Sequence, residues 1–151
     1  MKKILLVYAT LTGYTQLLVE KVHVSLQQVD DGYQYDQANI TRVTVDTMKE
    51  YDMIVFGAST WDENRNPDAE SFFERINPPT QSLAGVRFML FGVGDRLYPH
   101  FCGAIDTIKD LITSHKGTVC GTVLKIDSFM DADPAGMLTQ WLKNTLHKEL
   151  S

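Results

Sequence analysis

Residues 4–15 read ILLVYATLTGYT, a short apolar run that leads directly into a threonine-rich turn. Three more apolar runs follow at regular distances, at residues 53–56, 88–91 and 119–126. Each run is short and continuous, which is typical of strands that are buried on both faces of a sheet. A weaker segment, residues 33–40, alternates imperfectly and is expected to form an edge strand.

Between these runs, the spacing of apolar residues predicts helices around residues 17–29, 72–76, 101–112 and 138–146. Asp68 is a candidate cap of the second of them. Strands that alternate with helices imply a parallel sheet covered on both faces. We therefore predict an α/β fold, a three-layer doubly wound sheet of five parallel strands in the order 2-1-3-4-5. In such a fold, ligands bind beyond the carboxyl ends of the strands.

Composition and charge limit the classes of function that this chain can have. The 151 residues carry a formal net charge of −5, which suits one globular domain and argues against a broad nucleic-acid surface. No apolar run reaches the ~18 residues of a membrane span, and the first run is too short for a signal peptide, so a cytoplasmic location is expected. No metal site is predicted, because the histidines lack metal-ligand spacing: His23, His100, His115 and His147.

The first turn, residues 10–15, offers three hydroxyl groups and a glycine at the entry to a helix. Hydroxyl groups and the amides of a helix start can surround a phosphate, and Gly13 permits a close backbone approach. The turn has neither the lysine of a P-loop nor the glycine spacing of a dinucleotide-binding turn. From these residues alone, a phosphate site and a threonine-capped helix start fit about equally well.

Two further turns each place an aromatic residue just past a strand end. Residues 57–68 contain Trp61, and residues 92–103 contain Tyr98. Large aromatic side chains at a binding edge can enclose a flat ring by stacking. Each aromatic alone is better explained as a local loop anchor, but with the first turn they predict a site for a phosphorylated planar ring.

Together, the three turns resemble those of the flavodoxin family. The family's phosphate loop is matched by Thr10, Thr12, Gly13 and Thr15. Its second loop is matched by Thr60-Trp61 and Pro67-Asp68. Its third loop is matched by Gly94-Asp95, Tyr98 and Phe101-Cys102-Gly103-Ala104. The resemblance covers the whole chain, and the last strand carries no long insertion. Residues 1–151 are therefore similar to a single FMN-binding domain of a short-chain flavodoxin.

The resemblance implies a low-potential one-electron carrier that binds FMN non-covalently, with no substrate turnover and no catalytic residues of its own. It would shuttle electrons between a flavodoxin reductase, or another donor, and acceptor enzymes through transient docking. A monomer without nucleic-acid or membrane partners is expected. The implied cofactor-binding residues are Thr10, Leu11, Thr12, Gly13, Tyr14, Thr15, Ser59, Thr60, Trp61, Asp62, Glu63, Gly94, Asp95, Tyr98, Phe101 and Cys102.

The family pattern also suggests what these residues do. The first turn would hold the phosphate, Trp61 and Tyr98 would cover the two faces of the isoalloxazine ring, and backbone near Gly94 would meet its pyrimidine edge. Two arginines lie in the second and third loops, Arg65 and Arg96. If they approach the ring, the potential is expected to be less extreme than is usual in the family.

The second loop departs from the family where glycines usually follow the tryptophan. Asp62, Glu63 and Asn64 stand there instead. In the family, a peptide of this loop flips on flavin reduction, and turns that need φ > 0 favour Gly or Asn. We therefore expect weaker stabilisation of the one-electron-reduced flavin than in glycine-bearing members.

Other residues have simpler interpretations. Cys102 and Cys120 are expected to pack in the interior rather than to react. Four carboxylates are interpreted as a solvated acidic surface or, alternatively, as a docking face for a basic redox partner: Asp106, Asp110, Asp131 and Asp133.

The same turns argue against two other functions of this fold. A phospho-acceptor receiver domain needs acidic residues after strand 1 and an aspartate that ends strand 3, and those positions hold other residues. A low-molecular-weight phosphatase needs a loop after strand 1 that contains a cysteine and ends in arginine, and that loop has neither residue. Two alternatives stay open. One is an FMN-dependent NAD(P)H:quinone reductase, and the other is a dedicated flavoprotein activator of a metalloenzyme such as a ribonucleotide reductase.

Overall fold

The computed structural model describes residues 1–10, 13–60, 65–78 and 80–150. Its strands are β1 (Lys2–Ala9), β2 (Tyr33–Asn39), β3 (Met53–Ser59), β4 (Arg87–Gly94), β5 (Thr118–Val119) and β6 (Leu124–Asp127). Its α-helices are α1 (Tyr14–Gln27), α2 (Val45–Met48), α3 (Pro67–Glu74), α4 (Gly103–Ser114) and α5 (Pro134–Leu150), with a 3₁₀ turn at Ile40–Arg42.

The strands form one parallel sheet in the order β2-β1-β3-β4-β5, with β6 also paired to β4. This confirms the predicted order and the edge position of β2. Successive residues of a strand face opposite sides, so Leu5 joins the core under α3 and α4 whereas Leu6 joins the core under α1 and α5. Two apolar layers therefore hold the sheet between two layers of helices.

The prediction of one continuous strand over residues 119–126 is wrong. The edge strand is divided into β5 and β6, and Gly121 lies in the break with φ 72°. A left-handed residue cannot continue a strand. The break is held by the indole Nε1 of Trp141, which donates to the Thr122 carbonyl at 3.0 Å. Both pieces pair with β4, so the topology is unchanged.

The tight packing between β3 and β4 depends on a glycine. Gly57 lies opposite Phe91, and a Cβ at Gly57 would overlap the Phe91 ring. The ring in turn meets Trp141 of α5 edge-on, with ring centroids 6.3 Å apart. The missing side chain therefore lets Phe91 lie flat on the sheet beneath α5. Among the helices that the structure describes, none has the length and apolar character that crossing a bilayer requires.

Candidate functional site

The turns after β1, β3, β4 and β6 open at one edge of the sheet. Their starting points are level, because Ala9 lies opposite Ala58 and Gly94 lies opposite Asp127. Parallel pairing thus brings the three predicted turns together, and it adds a fourth at residues 127–133 that the sequence does not single out.

The first turn leads into α1 through a left-handed residue. Gly13 has φ 88°, and its amide donates to Thr10 Oγ1 at 3.1 Å. Thr15 is fully buried, yet its hydroxyl has no hydrogen-bond partner among the residues that the structure describes. A buried polar group without a partner costs about 1–3 kcal/mol. An external acceptor at this turn would satisfy it. The predicted residues Leu11 and Thr12 lie outside the described part of the chain.

Two electrostatic features of this turn act on an anion in opposite directions. The first turn of α1 carries no acidic residue, so the partial positive charge of the helix start is not cancelled there. The Tyr14 hydroxyl remains neutral, because burial and then the negative charge of Asp131 raise its pKa. The negative charge of Asp131 therefore opposes an anion at this turn, whereas the start of α1 favours one.

The second turn contributes two hydroxyl groups, of which one forms a hydrogen bond within the described residues and the other does not. Ser59 Oγ is buried without a hydrogen-bond partner in the described residues. Thr60 Oγ1 instead accepts from the Ala104 amide at the start of α4, at 3.1 Å, while the Thr60 amide donates to the Val93 carbonyl at 3.0 Å. The remaining residues predicted here lie outside the described residues: Trp61, Asp62 and Glu63.

Asn66 is a residue of this edge that the sequence analysis missed. Its side chain is buried, and Nδ2 donates to the carbonyls of Ala9 and Ser59, each at 2.9 Å. Its Oδ1 accepts from the Ala69 amide at 3.2 Å, so Asn66, not the expected Asp68, caps α3. One side chain therefore ties the ends of β1 and β3 to a helix start. The signal in the sequence was an asparagine directly before a helix-starting proline.

The third turn presents an exposed aromatic side chain. Tyr98 is 71% exposed, and its amide donates to the Asp95 carbonyl at 3.1 Å. Asp95 Oδ1 also accepts from the Leu97 amide at 2.9 Å, which closes the turn on itself. Gly94 leaves little room for a side chain, because a Cβ there would lie 3.2 Å from the Cys102 amide nitrogen. The exposed Tyr98 ring is thus available to a ligand.

Phe101 and Cys102 lie behind this turn. Cys102 is buried in a left-handed conformation with φ 54°, and its Sγ lies 3.7 Å from the Ile126 carbonyl. Burial raises the pKa of the thiol to about 12, so Cys102 is protonated and packs as an apolar group. Phe101 is half-buried, and the Arg96 guanidinium lies over its ring, 5.0 Å from the centroid.

The fourth turn is organised by Asp127, a second residue that the sequence analysis missed. Its carboxylate is fully buried and accepts from the amides of Phe129, Met130 and Arg96 at 2.9, 3.1 and 3.2 Å. Burial alone would raise the pKa of this carboxyl, but the three amide hydrogen bonds and the Arg96 charge outweigh it and hold the pKa below its usual range. An aspartate at a strand end, with free amides following, was the local signal.

Both arginines of the second and third turns face carboxylates. Arg96 Nη1 lies 3.3 Å from Asp131 Oδ1 and 3.7 Å from Asp127 Oδ2. Arg65 Nη2 lies 3.0 Å from Glu70 Oε2. These pairs partly offset the positive charges, and the expected effect of the arginines on the potential stays a prediction.

Comparisons with known proteins place this arrangement in a family. The flavodoxin family model matches residues 6–140. Flavodoxin of Maridesulfovibrio salexigens is 33% identical over 135 residues, which cover 88% of this chain and 91% of that protein. Probable flavodoxin 2 of Bacillus subtilis is 30% identical over 130 residues, covering 85% of this chain and 83% of that protein.

Solved structures agree with the sequence comparisons. Oxidised flavodoxin 2 from Bacillus cereus superimposes with a TM-score of 0.80 at 25% identity, over 97% of this chain and 99% of that one. Fusobacterium nucleatum flavodoxin bound to flavin mononucleotide has a TM-score of 0.73 at 17% identity, over 98% of this chain and 99% of that one, which shows the shared fold. The chain therefore belongs to the flavodoxin family as a short-chain member, and flavodoxins are FMN-dependent electron-transfer proteins rather than enzymes that turn over a substrate.

Proposed function

We propose that residues 1–151 act as one FMN-binding domain that carries single electrons at low potential between a donor, such as a flavodoxin reductase, and acceptor enzymes. The observation that carries this proposal is the buried hydroxyl of Thr15 at the start of α1, which has no hydrogen-bond partner among the described residues. Family membership supports the cofactor, and the F. nucleatum relative is described as bound to flavin mononucleotide.

The residues at this edge fit such a cofactor. Thr15 and Ser59 each offer a buried hydroxyl with no partner among the described residues. Thr15 would donate to a phosphate oxygen, and Ser59 to a phosphate or ribityl oxygen. The phosphate would be held by residues 10–15, which contain no Lys or Arg. Its negative charge would therefore be balanced by hydroxyl groups, amides and the helix start rather than by a cation.

The ring end of the site would be formed by the second and third turns. Trp61 and Tyr98 would stack on the two ring faces, and backbone of Gly94 and Asp95 would meet the pyrimidine edge. Bound FMN supplies the redox chemistry, and the protein's part is to bind, orient and tune it. Aromatic walls there would exclude water and the Asp95 carboxylate would add negative charge, which would disfavour a further negative charge on the ring and lower the potential.

Binding of the phosphate is tested with Thr15→Val and the matched control Thr15→Ser. FMN and riboflavin, which lacks the phosphate, are titrated into the apoprotein and followed by the loss of flavin fluorescence. A hydrogen bond to a charged group is worth about 1.5–3 kcal/mol, so Thr15→Val should weaken FMN binding roughly tenfold to a hundredfold. Thr15→Ser should retain most of the affinity. Unchanged FMN binding by Thr15→Val would exclude a phosphate contact at Thr15.

We also propose a docking surface for the redox partners on the turns after β4 and β6. Half of the large exposed apolar side chains of the described residues lie there, at 71–89% exposure: Leu97, Tyr98, Phe129 and Met130. Asp95 and Asp131 lie in the same turns and Asp133 follows, so the rim is acidic despite Arg96. A partner with an apolar centre and a basic rim would complement this surface.

The docking surface is tested with the double variant Phe129→Ser/Met130→Ser. Stopped-flow measurement with a flavodoxin reductase should give slower interprotein electron transfer, while FMN affinity and potentials stay unchanged. The matched control is Val24→Ser, which removes an exposed apolar side chain (57%) from the outer face of α1. Equal rates for the double variant and the wild-type protein would contradict the proposal. So would a rate that is insensitive to ionic strength, because an acidic rim steers a basic partner less effectively in salt.

A further inference from the structure

We propose that Asp127 is a positioning residue for the flavin-binding edge, which holds the 95–98 turn, and with it Tyr98, in place before the cofactor binds. The inference rests on the proposed function, because it assigns the Tyr98 turn to the ring end of an FMN site. Asp127 would affect the ligand indirectly, through the turn that it holds.

The two carboxylate oxygens of Asp127 serve two different turns. Oδ1 accepts from the amides of Phe129 and Met130, at 2.9 and 3.1 Å, and so shapes the turn that follows β6. Oδ2 accepts from the Arg96 amide, at 3.2 Å, in the turn that follows β4. The side chain is fully buried, so water does not compete for these oxygens. Asp127 therefore links two turns that are about 30 residues apart in sequence.

The 95–98 turn has few other anchors. Two of its hydrogen bonds are internal, from the Leu97 amide to Asp95 Oδ1 and from the Tyr98 amide to the Asp95 carbonyl. In the described part of the chain, the hydrogen bonds that join it to another turn are the one from the Arg96 amide to Asp127 and the one from Arg96 Nη1 to Asp131, at 3.3 Å. At the base of the turn, the Gly94 carbonyl also accepts from the Ser128 amide at 3.0 Å, so the link through Arg96 adds to this anchor a tie within the turn itself, two residues before Tyr98.

The Arg96 side chain covers the link from the solvent side. Its guanidinium lies between Asp127 and Asp131 and over the Phe101 ring. Asp131 in turn accepts from the Asp127 amide, at 2.8 Å through Oδ2. Because Arg96 is 51% exposed, its charge is screened, whereas the amide hydrogen bond to the buried carboxylate is not. The backbone link is thus expected to matter more than the ion pair.

The substitution Asp127→Asn separates these contributions. Asparagine keeps one oxygen for the amides of Phe129 and Met130, but it turns an NH₂ group toward the Arg96 amide, and two donors cannot bond. Arg96→Met is the companion variant that keeps the amide link and removes only the guanidinium. Asp106→Asn is the matched control, because it makes the same chemical change at an exposed carboxylate that pairs with Lys125 on the surface.

FMN and riboflavin binding then distinguish a ring-end effect from a phosphate effect. Asp127→Asn is expected to weaken both ligands by the same factor, about tenfold, because binding must then also order the turn that this hydrogen bond to a charged acceptor holds in place in the wild type. It should also change the visible circular dichroism of the bound flavin, which reports the side chains around the ring. Arg96→Met should have a smaller effect, and Asp106→Asn none. If Asp127→Asn leaves both affinities and the dichroism unchanged, the inference is overturned.

The outcome is separable from that of the proposed function. Thr15→Val weakens FMN but not riboflavin if the phosphate site is right, whereas Asp127→Asn weakens both ligands if the positioning is right. Hydrogen exchange of the wild-type apoprotein tests the link without a variant. The Arg96 amide should exchange at least about tenfold more slowly than an unbonded amide, as expected for a hydrogen bond to a buried acceptor. Exchange of Arg96 at the unprotected rate would refute the link even if Asp127→Asn does not fold.

Discussion

Replacing Gly57 by alanine is expected to destabilise the sheet next to the flavin edge. Gly57 lies in β3, opposite Phe91 of β4, and an alanine Cβ would lie 2.5 Å from Cε2 of the Phe91 ring and closer still to other ring atoms. Favourable carbon–carbon contacts require about 3.5–4.0 Å. The ring is 1% exposed and meets Trp141 on another side, so it has little room to move.

The expected size follows from this overlap. Adding a methyl group to a packed core typically costs about 1–3 kcal/mol, and the confinement of Phe91 places Gly57→Ala at the upper end. With a urea m-value of about 1–3 kcal/mol/M, the midpoint of unfolding should fall by roughly 1–3 M. The sign is informative by itself, because replacing a strand glycine by alanine without a clash stabilises by about 0.5–1 kcal/mol.

Equilibrium urea unfolding of the apoprotein, followed by far-ultraviolet circular dichroism, measures the effect. A double-mutant cycle with Phe91→Leu supplies the control, since a smaller side chain at residue 91 should make room for the new methyl group. Gly57→Ala is then expected to cost clearly less in the Phe91→Leu background than in the wild type. A midpoint for Gly57→Ala at or above that of the wild type would refute the packing argument, and so would equal costs in both backgrounds.

Three further predictions concern charge and reactivity. The pKa of Asp127 is lowered in the fold, so the ionised carboxylate stabilises the protein at pH values above the ordinary carboxyl pKa. The difference in free energy of unfolding between the wild type and Asp127→Asn should therefore shrink as the pH falls below about 4. Cys102, buried with a pKa of about 12, should resist a thiol reagent at pH 8 until the protein unfolds, and rapid native modification of it would contradict this. Potentiometry of Arg96→Ala and Arg65→Ala should show a lower potential than the wild type; no drop in either variant excludes an influence of these arginines on the flavin.

The strand order was predictable because the sheet is buried on both faces. Continuous apolar runs such as residues 53–56 identify such strands without any tertiary information, and their alternation with helices restricts the topology. The last strand was predicted less well for a local reason. The apolar run at 119–126 contains Gly121, whose positive φ and the Trp141 hydrogen bond beside it interrupt the ladder, and neither can be inferred from apolar periodicity.

The residues of the site also divide into those that the sequence predicted and those that it did not. The turns at residues 10–15 and 92–103 were identified from residue types that bind phosphate and stack on rings, and these types lie close together in sequence. Asn66 and Asp127 were missed because their partners are distant. Asn66 bonds to the carbonyl of Ala9, 57 residues away, and Asp127 to an amide 31 residues away. Sequence patterns indicate a cap or a turn at such residues, but they do not reveal which distant turn is tied.

Hydrogen-bond satisfaction separates the supporting residues of this edge from those left for a ligand. Three polar side chains of the described residues are buried: Thr15, Asn66 and Asp127. Asn66 and Asp127 each have partners on both polar atoms, as buried groups require, and these partners belong to the protein. Thr15 Oγ1 has none among the described residues, and neither does the buried Oγ of Ser59. Folding alone would leave both hydroxyls desolvated at a cost, which an acceptor on the proposed ligand would offset.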